Sequence, residues 1–229
     1  MDLEKKSREI ETGADWVIGK PNGWLRYTTS GNDELVIAPA SYGPRGAGAS
    51  IRYAISDSAF GRILLAATVQ GLCWLGLAAP DDRLESELRG DYPAANFTRD
   101  DAVLAPLTIA ILDFVEGKRS NLDLPLDLRA TPFEAAVWHQ LCVIPRGSTR
   151  SYGAIAERLG NPNAARAVGH ANGANPLAIV IPCHRAIGSD GTLTGYRWGL
   201  EVKRRLLEHE RALIQSSLAL DFTKADSDS

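Results

Sequence analysis

The spacing of apolar positions changes along the chain, and each change marks an element. Residues 52–55, 62–68 and 72–77 are short apolar runs separated by the turn residues 57–61 and 70–71. Runs this short with gaps this tight predict three strands in an antiparallel meander. The pattern then becomes helical. Residues 80–90 open with Asp81 and Asp82, which suit a helix N-terminus. In residues 102–116, Leu104, Leu107, Ile111 and Val115 share a face, and Gly117 supplies the stop. Leu122, Leu124, Leu126 and Leu128 alternate with other residues at period two. Pro125 makes this segment an edge strand or a half-covered connector, because proline cannot donate to a ladder.

From Thr131 the chain reads as mostly helical. Thr131-Pro132-Phe133-Glu134 combines an N-cap, a first-turn proline and a capping-box glutamate. Phe133, Val137 and Leu141 follow on one face, and Pro145 and Gly147 end the helix. Ser151 caps a short helix whose Tyr152, Ile155, Ala156 and Leu159 fall at i, i+3, i+4 and i+7. After the turn at 160–163, a second helix spans 164–174. Ile179, Val180 and Ile181 predict the end of a buried strand, and Pro182 stops it. A last helix over 200–213 puts Leu206, Leu207 and Glu210 on one face. A carboxylate pointing where leucines point needs a partner, and His184 is a candidate.

These elements predict an α+β protein with a small antiparallel-sheet domain over 51–130 and a mostly helical, helix-turn-helix domain over 131–214. Residues 1–50 form a weakly patterned extension, with a short strand at 35–37 and a Gly-rich linker at 41–49. Residues 215–229 are predicted to be a disordered tail.

Composition adds three points. The three cysteines, Cys73, Cys142 and Cys183, form no CxxC and cannot all pair. Neither a disulfide framework nor a zinc finger is indicated, and a reducing, cytoplasmic setting is expected. No signal peptide or membrane-length apolar run is present, so no membrane partner is expected. Between Arg146 and Arg205 stand nine basic and three acidic residues, a local +6 on a chain of net −3. That asymmetry fits either a polyanion site or a solvated helix face.

Chemistry concentrates at Pro182-Cys183-His184-Arg185. A thiol is a weak nucleophile until it ionises, and an imidazole backed by a carboxylate promotes that. Cys183, His184 and Glu210 supply the three groups. Successive residues of an extended chain point apart, so His184 reaches the sulfur only if the chain bends or a water intervenes. A cysteine protease or acyltransferase uses the same groups, and a lone cysteine is more often simply buried. Cys73 and Cys142 are expected to be such core residues. The helix over 164–174 consists largely of tiny residues around one long cation, Arg166. Such a surface fits close packing on the protein itself, or entry into a DNA minor groove with Arg166 inserted.

Three blocks carry a family resemblance: Ile181-Pro182-Cys183-His184-Arg185, the segment Gly191-Thr192-Leu193-Thr194-Gly195-Tyr196-Arg197-Trp198-Gly199, and Asn163-Ala164-Ala165-Arg166-Ala167-Val168-Gly169. Together they resemble the O6-alkylguanine-DNA alkyltransferases, above all the C-terminal half of bacterial Ada proteins. The likeness extends over about residues 51–211. It implies a ribonuclease H-like first domain and a winged helix-turn-helix second domain. It also implies a stoichiometric repair reaction needing no cofactor and no metal. The partner would be double-stranded DNA, bound by a monomer through the minor groove. Cys183 would take the alkyl group from O6 of a flipped guanine, possible O4-alkylthymine activity being left open. His184, through a water and with Glu210 behind it, would deprotonate the thiol. Tyr152 would donate to the guanine, and Asn175 would hold the turn before the active site. Arg166 would fill the gap left by the flipped base. Tyr196 and Arg197 would line the pocket, and Ala165, Ala167, Gly169 and Arg185 would contact DNA or substrate. The chain departs from the full Ada pattern in having no cysteine before Cys73, so no Ada-type zinc domain is expected. A non-catalytic lesion binder and a methylation-responsive regulator are the alternatives.

Overall fold

A computed structural model describes residues 40–119, 122 and 124–225. The expected strand at 35–37 and residues 226–229 lie outside the described residues.

The predicted meander is present as β1 (Ser50–Ser58), β2 (Gly61–Ala67) and β3 (Leu72–Leu77). A fourth strand, β4 (Asn96–Arg99), was not predicted; its short, mostly exposed run Asn96-Phe97-Thr98-Arg99 has little apolar signal. It adds parallel to β1, giving the order β3-β2-β1-β4. Helices α1 (Asp81–Asp91) and α2 (Ala105–Val115) complete this half.

The free edge of β3 is covered by two segments distant in sequence. At one end Leu72 donates to the Pro125 carbonyl at 2.9 Å, and Asp127 donates back to Leu72 at 2.9 Å. At the other end Leu75 donates to the Pro176 carbonyl at 2.8 Å, and Ala178 donates to Leu75 at 3.0 Å. Both prolines act only as acceptors, the role a sheet edge permits them. The second pairing joins the sheet directly to the chain leading to Cys183.

Two expectations are corrected here. The stretch from Ser41 is docked, not a loose linker. Asp127 is buried, and an unpaired buried carboxylate is costly. It accepts from Thr68 Oγ1 and from the backbone N–H and hydroxyl of Ser41. Tyr42 is buried beside it and donates to the Asp127 carbonyl at 3.1 Å. The last helix, α6, runs Leu200–Ala225 and does not give way to coil after Ile214. Residues 214–225 contain neither glycine nor proline, so nothing in them breaks a helix.

The second half contains α3 (Pro132–Cys142), α4 (Tyr152–Arg158) and α5 (Ala165–Gly173). Thr131 and Glu134 form the capping box in both directions, and the Ser151 hydroxyl accepts from the Ala154 N–H. A two-residue parallel ladder of β5 (Arg150–Ser151) with β6 (Ala186–Ile187) ties the start of α4 to the chain just beyond the Cys183 segment. Cys73 is buried in the core, as expected.

Candidate active site

Cys183 sits where the chain makes two tight turns in succession. The predicted strand end at 179–181 is not a strand. Val180 donates to the Ala178 carbonyl two residues back, at 2.6 Å, with Ile179 at φ +68°. Left-handed backbone at a β-branched residue costs about 1–3 kcal/mol and needs outside support. Cys183 then donates to the Ile181 carbonyl at 2.7 Å across Pro182, whose φ of −79° and ψ of 61° describe an inverse γ-turn. Cys183 thereby becomes the first residue of a 3-10 turn, Cys183–Arg185.

Asn175 supplies the support. Its buried Nδ2 lies 3.1 Å from the Leu177 carbonyl, 2.9 Å from the Ile181 carbonyl and 3.1 Å from Cys183 Sγ. Its Oδ1 accepts from the Leu177 N–H at 2.9 Å. One carboxamide closes the loop at both ends and touches the sulfur. Strand propensity at 179–181 loses to these side-chain bonds, a tertiary override that local sequence does not display.

Behind the sulfur lies a buried charge cluster. His184 Nε2 is 2.9 Å from Glu210 Oε1. Burial by itself would raise the Glu210 carboxyl, but His184 and Arg185 hold it well below the ordinary range. The carboxylate can only accept, so Nε2 carries the proton. Burial also lowers His184 despite Glu210, keeping the ring neutral. Nδ1 is then a lone pair, buried and without a partner among the described residues. The Glu210–His184 pairing therefore matches the expectation from helix periodicity.

Arg185 does not fit its expected place on DNA or substrate. It is buried, donates to both Glu210 oxygens at 2.7–3.2 Å, and bonds the Ile144 carbonyl at 2.6 Å. A buried carboxylate facing only a neutral imidazole would lack a countercharge, and Arg185 provides it.

Burial pushes the Cys183 thiol up to about 11, while Asn175 and Lys203 pull it back. Lys203 was missed in the sequence. It is fully buried, donates to the Thr194 carbonyl at 2.9 Å, and lies 5.9 Å over the Tyr152 ring. No carboxylate pairs with it among the described residues, and burial brings its ammonium down to about 8. A signal existed: 203, 206, 207 and 210 fall at i, i+3, i+4 and i+7, so Lys203 shares the stripe of Glu210.

Cys183 forms the floor of a pocket of about 460 Å³, within the usual range for small-ligand sites. Tyr152, Asn172, Asn175 and Tyr196 line it together with Gly169, Gly173 and residues 194–198. The Tyr152 hydroxyl donates to the Thr194 carbonyl at 3.4 Å. Arg197 lines the rim, but its charge is engaged: Nη2 is 2.7 Å from Asp91 Oδ2, and Nε is 3.8 Å from Glu87. Asp91 also accepts from Trp74 Nε1 at 2.7 Å. The first domain thus grips the rim loop, and nothing in local sequence pairs Arg197 with Asp91, 106 residues away. On α5, Arg166 and Ala167 are exposed, while Ala165 and Gly169 are half-buried.

Two family models match the chain. The 6-O-methylguanine DNA methyltransferase ribonuclease-like domain covers residues 51–128, and the DNA binding domain of the same name covers 132–212. The inducible methylated-DNA–protein-cysteine methyltransferase of Bacillus subtilis is 44% identical over 148 residues, 64% of this chain and 83% of that protein. The chain belongs to the O6-methylguanine-DNA methyltransferase family. Within that family it is also 39% identical over 199 residues to the regulatory protein ada of Salmonella typhimurium, covering 87% of this chain. It spans only 56% of the length of that relative. The crystal structure of Mycobacterium tuberculosis OGT in complex with DNA superposes with a TM-score of 0.60 at 40% identity, over 71% of this chain and 94% of that one. The α+β architecture seen here, a small sheet domain followed by a helical one, is the family fold. Among the described residues no helix is long and apolar enough to cross a membrane.

Proposed function

We propose that the protein repairs DNA by moving the alkyl group of O6-alkylguanine irreversibly onto Cys183. The observation that carries this reading is the thiol itself. It is buried at the floor of a pocket, bonded by Asn175, and flanked by a neutral imidazole with a free Nδ1.

The chemistry follows from those groups. Nδ1 of His184, through one bridging water, takes the thiol proton. Glu210 holds the ring in the tautomer that makes Nδ1 basic and favours the imidazolium that forms. Lys203 and the Asn175 amide stabilise the thiolate as it appears. Sγ then attacks the carbon bound to O6 in line. The S–C bond forms as the C–O bond breaks, the electron pair passes to the guanine, and the guanine takes up a proton. Tyr152 donates to the base as charge builds on the ring. A thioether has no route back, so each molecule acts once.

The substrate is double-stranded DNA entered from the minor groove by α5. Exposed small residues let the helix approach, Arg166 replaces the flipped nucleotide in the stack, and Ala165, Ala167 and Gly169 flank it. Flipping costs least at a weakened pair, which an alkylated guanine makes. The relatives' names support this reading, and so does the complex of the Mycobacterium tuberculosis protein with DNA. The setting is cytoplasmic, in keeping with three free thiols. A reactive cysteine in the pocket speaks against a non-catalytic lesion binder.

Cys183→Ser tests the assignment. The variant is expected to bind an O6-methylguanine duplex while transferring no methyl. Transfer at the wild-type rate would move the acceptor to Cys73 or Cys142 and refute it.

A further inference from the structure

The pocket has a polar wall whose buried groups lack a protein partner among the described residues. Asn172 lies on the inner side of α5 and is only 3% exposed. Its side chain lines the pocket that ends at Cys183, and its Oδ1 is buried without a hydrogen-bond partner among the described residues. Tyr196, from the rim loop, lines the same pocket, and its hydroxyl is likewise buried and unpartnered. Its ring is fixed edge-on against Trp198, with centroids 5.3 Å apart, so it cannot swing out to water without breaking that contact. Trp198 Nε1, on the same cavity, is buried and unpartnered too. Buried polar groups are nearly always bonded, and three exceptions on one cavity call for ligand atoms that bond them.

A methyl group offers no such atom. An O6 substituent carrying an oxygen one carbon beyond the reacting carbon does. A carboxamide donates and accepts, and a phenol does the same, so a hydroxyl can be held from both sides. We infer that Asn172 and Tyr196 form a polar subsite that selects oxygen-bearing O6 substituents, such as 2-hydroxyethyl, over apolar ones of equal size. This rests on the alkyl-transfer reading above. The bond changes are those of methyl transfer: Sγ bonds the first carbon, that carbon leaves O6, and the guanine gains the proton the thiol gave up. The hydroxyl itself is untouched.

The test compares transfer rates from three duplexes that differ only in the lesion: O6-methyl-, O6-(2-hydroxyethyl)- and O6-propylguanine. The last two are near-isosteric, so their ratio isolates the hydroxyl. Transfer of hydroxyethyl is expected to be at least about tenfold faster than transfer of propyl, because a propyl chain leaves both wall groups unpaired. Asn172→Leu should bring that ratio close to one, and Tyr196→Phe should lower it. The wild-type ratio stands without either variant. A wild-type ratio near one, with methyl still transferred, overturns the polar subsite and leaves alkyl transfer intact. An equal loss on all three lesions in Asn172→Leu also overturns it, because Asn172 would then act on the guanine and not on the substituent. If none of the three lesions is transferred to Cys183, the underlying reading fails as well.

Discussion

A buried thiol is not a thiolate. At about 11, Cys183 is almost wholly protonated at neutral pH, and Asn175 and Lys203 only moderate what burial imposes. In the proposed reaction the site must therefore move a proton, and the Glu210–His184 pair is the proposed means. Glu210→Gln keeps the shape but removes the charge that orients and supports the imidazole. Transfer at neutral pH is expected to fall by about a hundredfold. Its rate should then climb with pH, closing the gap as the thiol ionises unaided; a gap constant from neutral to alkaline pH would contradict this role. Stability follows the same carboxylate. Its value is depressed in the folded protein, so its contribution is present above the ordinary value of 4.5 and is lost as pH falls below it. At this scale the sequence was informative where a charged residue interrupts an apolar stripe. Glu210 was found that way, and Lys203 lay in the same stripe unnoticed. Arg185 was misassigned because an arginine beside a reactive cysteine looks like a ligand contact, whereas its charge is spent on Glu210 inside the protein.

The elements around the site were legible to different degrees. The capped starts of α3 and α4 rest on local hydrogen bonds, so Thr131, Glu134 and Ser151 announce them. The segment before Cys183 rests on non-local ones. Ile179, Val180 and Ile181 have every local reason to be a strand, yet Asn175 and the edge of β3 bend them into successive turns. The 3-10 turn at Cys183–Arg185 supplies the bend after Pro182 that a pairing of Cys183 with His184 requires. The proposed recognition role of α5 is read from composition, and Arg166 tests it. Arg166→Ala is expected to slow transfer from a duplex more than transfer from free O6-benzylguanine, since only the duplex has a gap to fill. Equal losses would remove Arg166 from the stack.

Over the whole molecule, the first domain supports the chemistry without contributing to it. β3 carries the chain into the active site on its edge, and Asp91 with Trp74 holds Arg197 at the pocket rim. Gly76 lets this happen: a Cβ there would lie 2.2 Å from the Trp74 ring and 3.1 Å from Trp198 Nε1. The two-domain α+β architecture could be foreseen from periodicity, because a meander and a capped helix series carry their own signals. The grip between the domains could not, because ion pairs such as Arg197–Asp91 leave no trace in local pattern. What the assembly exists to do is put one sulfur at the bottom of one pocket. The most direct test is intact-mass analysis after incubation with an O6-methylguanine duplex, followed by peptide mapping. The account predicts a single methyl group per protein molecule, on Cys183, with no further addition at excess DNA. No adduct, or an adduct on Cys73 or Cys142, would contradict it.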